Sequence, residues 1–133
     1  MALDAQLFKF EAPEVTDHPR IITKLCQTDR IVSNVQVISK GGENRLHSHP
    51  HLDGFWMVLR GKARFHGEGD KVLGELGPME GIMVPRNFKY WFEAAGDEPL
   101  HLLQVEAAEE PFKGFSESSK IKMREGIVGT IAG

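Results

Sequence analysis

The sequence predicts an all-β fold, an antiparallel sandwich or barrel, and three observations carry that reading. Short apolar runs recur from Ile21 to Val105, turn-forming Gly, Pro, Asn and Asp separate them, and nothing before Glu106 sustains a helical period. A chain of 133 residues, 41% hydrophobic and 26% charged, is sized and composed as one globular domain able to bury a core of its own.

Residues 1–30 read as an N-terminal arm and a first strand. Pro13 and Pro19 rule out a long helix around Leu7-Phe8, leaving an extended arm that leads into Ile21 to Cys26. Arg30 to Ser39, rich in Ile and Val, forms the next strand and closes on the Gly41-Gly42 turn. His47 to His49 should end a strand, because Pro50 cannot donate to a ladder and Asp53-Gly54 signals a turn. In the following strand, Phe55, Met57 and Leu59 alternate with Trp56 and Val58, so both faces are apolar. One face would line the barrel and the other would need a cover, which predicts a homodimer. Lys62 to His66 and Lys71 to Leu76 flank the polar tip Gly67 to Asp70, beside which His66 should be exposed. Gly81 to Pro85, Lys89 to Glu93 and Leu100 to Val105 complete a barrel over residues 31–110. Residues 111–133 form a short C-terminal tail, open between a short helix, a strap across a dimer and a frayed end.

Composition narrows the partners. A formal charge of -3 supplies no basic field for nucleic acid. No apolar run spans a bilayer, and Met1 to Phe10 lacks the pattern of a secretory leader. The single Cys26 cannot form an intrachain disulfide, which suits a reducing compartment. The expectation is a cytoplasmic protein with a small-molecule ligand and neither a nucleic-acid nor a membrane partner.

The chemistry concentrates in GGENRLHSHPHLDGFWMVLRG, from Gly41 to Gly61. On an extended backbone His47 and His49 point to one face. Two imidazoles directed at one point suit a metal or acid–base chemistry near neutrality. Asp53, His51 and His101 are candidates for a third ligand. Alternation puts Tyr90 and Phe92 on one face, where together with Trp56 they would wall an aromatic pocket. Arg86 lies in the turn leading into Tyr90, near the expected mouth.

These residues resemble the motifs of the cupins, specifically the small single-domain kind. In the first motif, G-x5-H-x-H-x(3,4)-E-x6-G, Gly41, His47, His49 and Gly61 fall in place and Gly54 stands at the glutamate. In the second, G-x5-P-x-G-x2-H-x3-N, Pro85 matches, Asn87 replaces the turn glycine, Tyr90 replaces the histidine and Ala94 the asparagine. The resemblance implies a double-stranded β-helix, a jelly-roll barrel, over about Ile31 to Val105. It implies a metal held by His47 and His49 with help from Asp53, and the choice stays open between iron, manganese, nickel or zinc and no metal at all. It implies a ligand pocket around Gly54, Trp56, Phe92 and Arg86, with His49 and Tyr90 as acid–base groups. The activities that follow are metal-dependent oxygenase, isomerase or lyase chemistry on a small organic substrate. The alternatives are a metal-free binding module and a metal-free epimerase or isomerase with a histidine base and Tyr90 as acid.

Overall fold

The computed structural model describes residues 4–14 and 18–113. Its strands are β1 (Arg20–Gln27), β2 (Ile31–Ile38), β3 (Leu52–Arg60), β4 (Ala63–His66), β5 (Val72–Leu76), β6 (Gly81–Val84), β7 (Trp91–Ala94) and β8 (Leu100–Ala108). They form two antiparallel sheets, one ordered β1-β2-β8-β3-β6 and one ordered β5-β4-β7. This is the antiparallel all-β fold that the alternating runs predict, in the jelly-roll form that the motif resemblance implies. No helix among the described residues is long and apolar enough to cross a membrane.

Cross-strand register grades the inner face of the larger sheet. At one end Leu100 pairs with Ile38, and Leu102 with Gln36 and Val58. Toward the other end Gln104 faces Asn34 and Trp56, and Glu106 faces Val32 and Gly54. The apolar end packs against Ala63, Phe65 and Phe92 of the smaller sheet, and Trp56 and Tyr90 join the same core. Burying each large apolar side chain contributes about 1.5–3 kcal/mol, so this layer dominates the stability. The polar end carries Gln104 and Glu106, and the Gln36 Nε2–H donates to Gln104 Oε1 at 3.0 Å.

Four boundaries differ from the sequence expectation, each for a pairing reason. His47 to His49 end no strand, because His47 alone among them pairs, in an isolated bridge with Tyr90. Asp53-Gly54 lies inside β3 and not in a turn, because Gly54 is paired on both sides, with Val84 and Glu106. β8 continues past Val105 because Glu106, a polar residue on the inward parity, hides the alternation but keeps its pairing. Tyr90 precedes β7 and meets only His47, in an isolated bridge. The hairpin tip after β4 is a single 3-10 turn, Glu68–Asp70.

In the N-terminal arm, the Gln6 amide clasps the backbone of Gln27: its Nε2–H donates to the carbonyl at 2.6 Å and its Oε1 accepts from the N–H at 3.0 Å. Of the C-terminal tail, residues 114–133 lie outside the described residues. On the outer face of the larger sheet, Phe55 and Met83 pair across β3 and β6 and stay 39% and 60% exposed.

Candidate functional site

His47 and His49 are positioned by the segment entering β3 and by the turn before β7. His47 and Tyr90 exchange backbone hydrogen bonds, at 3.1 Å from the His47 N–H and 2.9 Å from the Tyr90 N–H. The Asn87 N–H donates to the His49 carbonyl at 2.8 Å, and Asn87 takes the positive φ of 68° that its turn position predicts. These bonds bring the rings together. The centroids of His47 and His49 are 4.9 Å apart, those of His47 and Tyr90 4.5 Å, and those of His49 and Tyr90 6.4 Å.

The hydrogen bonds settle part of the proton inventory. His47 Nδ1 lies 2.6 Å from the Arg45 carbonyl, which can only accept, so Nδ1 carries a proton and a neutral ring presents Nε2 as its lone pair. Burial, and then the neighbouring His47, lower the His49 pKa and hold that imidazole neutral. Burial, then the Glu106 charge, push the Tyr90 phenol well above its ordinary range and keep it protonated. The Trp56 indole N–H sits close enough to oppose that shift weakly, yet it meets no hydrogen-bond geometry. A neutral imidazole thus lies beside a protonated phenol, one proton acceptor and one proton donor.

The other residues singled out by sequence are placed as follows. Asp53 points to the rim, where its Oδ1 accepts from the Arg86 N–H at 3.0 Å and lies 3.4 Å from Arg86 Nε. Arg86 also reaches Glu109 at 3.7 Å, and His51 Nδ1 lies 3.4 Å from the same carboxylate. Asp53, Arg86 and His51 are therefore joined in a half-exposed rim network apart from the imidazole pair. His101 packs edge-on against Phe10, with centroids 5.8 Å apart, on the sheet's outer face. Trp56 and Phe92 lie 4.9 Å apart within the sealed core beneath Tyr90, and Gly54 sits on the same inner face as Trp56. Among the described residues no three His, Cys, Asp or Glu side chains form a group that could hold a metal.

His66 is a correction. It is 6% exposed, stacked on Trp91 at 3.9 Å, and its Nε2–H donates to Glu93 at 2.6 Å. Trp91 lies over it on the outer face of the smaller sheet, and its own indole N–H donates to Asp70 at 3.1 Å. Adjacency to a turn predicts exposure only when no neighbouring strand supplies a cover.

Glu106 is the residue that sequence reasoning missed. Its signal was present: Leu100, Leu102, Gln104 and Glu106 share one parity. Glu106 is 8% exposed, and burial raises its pKa. The folded protein therefore holds a proton that the unfolded chain has released, and stability falls as pH rises from the ordinary glutamate value toward the raised one. Glu106→Gln, which is neutral throughout, should lose this slope, so the variant should gain on the parent as pH rises across that window. His49 has the opposite sign, since its stabilisation is lost as pH falls below its ordinary value of 6.5. Urea unfolding at several pH values separates the two, and parallel curves for parent and Glu106→Gln would refute the Glu106 assignment.

A profile of the cupin domain matches residues 34–106. Similar solved structures include a double-stranded β-helix protein from Klebsiella pneumoniae, with 22% identity over 74% of this chain and 80% of that one, at a TM-score of 0.65. KdgF from a Halomonas species shares 15% identity over 78% of this chain and 94% of its own, also at 0.65. An oxalate oxidase in complex with the substrate analogue glycolate shares 19% over 76% of this chain and 57% of its own, at 0.61. No curated protein matches the sequence.

Proposed function

The chain belongs to the cupin domain family, and from that premise we propose that it binds a small organic molecule at the polar end of its barrel and isomerises or epimerises it by proton transfer. The observation that carries the reading is the neutral His49 imidazole beside the protonated Tyr90 phenol, their ring centroids 6.4 Å apart. His49 would take a proton from the ligand and become imidazolium, Tyr90 would return one and become phenolate, and a proton passed back from the imidazolium to the phenolate would restore the pair.

Metal-dependent chemistry is the competing reading, supported by two imidazole rings whose centroids lie 4.9 Å apart. Catalytic zinc sites use three protein ligands as a rule. Here Asp53 is held by Arg86, and among the described residues no third His, Cys, Asp or Glu side chain joins the pair. The donor set does not fit a resident metal, and the proposed steps use none.

The test is the metal content of protein purified without chelator or nickel resin, beside a His47→Ala, His49→Ala double variant. We expect substoichiometric iron, manganese, nickel and zinc in both. Near-stoichiometric metal in the parent that vanishes in the double variant would overturn the metal-free reading. A homodimer covering Phe55 and Met83 is the second part of the proposal. Sedimentation equilibrium should return twice the chain mass, and a monomer at high concentration would refute it.

A further inference from the structure

Tyr90 and His49 are brought together by a turn that one side chain ties to the sheet. The β3–β6 ladder ends where Gly54 meets Val84. The next residue, Pro85, has no N–H with which to extend it. Asp53, the β3 residue before Gly54, extends the pairing with its side chain, because Oδ1 accepts from the Arg86 N–H at 3.0 Å.

The N–H groups that follow hold the site. That of Asn87 donates to the His49 carbonyl at 2.8 Å, and that of Phe88 donates to the Pro85 carbonyl at 3.2 Å, closing the turn. Tyr90 then exchanges backbone bonds with His47. The turn thus grips His49 by its backbone and delivers Tyr90 beside it. Of these bonds only the one to Asp53 joins the turn to β3, and it alone uses a side chain. Its release would let Asn87 leave its positive φ of 68°, a region sparsely populated without glycine.

The Arg86 side chain adds little to this link. Its Nε lies 3.4 Å from Asp53 Oδ1 and its Nη1 3.7 Å from Glu109, all three side chains half-exposed. Ion pairs in that setting contribute little, whereas a backbone N–H donating to a carboxylate makes one of the stronger hydrogen bonds.

We propose that Asp53 is a positioning residue for the acid–base pair: its carboxylate anchors the turn from Pro85 to Phe88 through the Arg86 N–H, and the anchored turn sets the His49 imidazole against the Tyr90 phenol. The role rests on the reading of His49 and Tyr90 as the working pair, and Asp53 acts through them without touching the ligand.

The test compares three variants with the parent by NMR. Asp53→Ala removes the acceptor, whereas Asp53→Asn keeps an acceptor oxygen and Arg86→Ala keeps the backbone donor. Asp53→Ala should speed amide exchange at Arg86 and Asn87 by roughly tenfold or more and weaken the cross-peaks between the His49 and Tyr90 rings. The Leu102 amide, in the core strand, should stay protected and so report that the barrel is intact. Asp53→Asn and Arg86→Ala should both retain the parent's ring cross-peaks. Unchanged cross-peaks in Asp53→Ala would overturn the proposal, and so would their loss in either of the other two variants, which would assign the effect to the surface charges. Should Asp53→Ala fail to fold, those two variants still decide, retention in both supporting the backbone anchor and loss in either refuting it. None of these outcomes bears on the metal content of the parent, which tests the acid–base reading itself, so the two fail separately.

Discussion

Phe92→Ala should cost the barrel about 3–5 kcal/mol of unfolding free energy, the usual range for deleting a fully buried aromatic ring. Phe92 is sealed between the sheets, with ring centroids 4.9 Å from Trp56 and 5.2 Å from Phe65. Both neighbours are themselves buried, and strands on either side hold them, so the cavity cannot close by a simple side-chain swing. The consequence reaches the site, because the Tyr90 ring lies 6.5 Å from that of Phe92 and rests on the same layer. Urea unfolding should show a lower midpoint with an unchanged slope. A loss below about 1 kcal/mol would mean that the aromatic layer repacks freely, against the close packing described.

Gly81→Ala should cost about 3 kcal/mol, at the upper end of overpacking effects. A Cβ at Gly81 would stand 2.1 Å from the Trp56 carbonyl oxygen and 3.2 Å from the Met57 Cα, and both are backbone atoms that cannot swing aside. Relief requires β6 to separate from β3, where Gly81 pairs with Met57 and Val84 with Gly54. β6 also leads into the turn that carries Arg86, Asn87 and Tyr90, so separation would loosen one wall of the site. Denaturation would measure the loss, and faster amide exchange confined to β6 and its β3 partners would locate it. Unchanged stability would show that the two backbones are not in close contact.

Several of these features could be read directly from the chain. Alternation in Phe55 to Leu59 predicts a strand, and in the structure Trp56 and Val58 are buried while Phe55 is partly exposed. Alternate spacing alone brings His47 and His49 onto one face, and their rings do meet. Asn87 in the turn after Pro85 takes the left-handed backbone its residue type favours. Each of these is a property of a few consecutive residues, so local sterics and polarity suffice to determine it.

The sequence by itself determined that the chain folds as an antiparallel jelly roll, that its membership is in the cupin family, and that two histidines share a face. Only the tertiary structure decided which distant groups become partners. It drew Asp53 to Arg86, closed Trp91 over His66, and set Glu106 against the bare Gly54. The physical reason is register. Which face a side chain takes follows from parity along its own strand. Which residue it meets depends on how strands far apart in sequence slide into alignment, and burial of the whole core chooses that alignment.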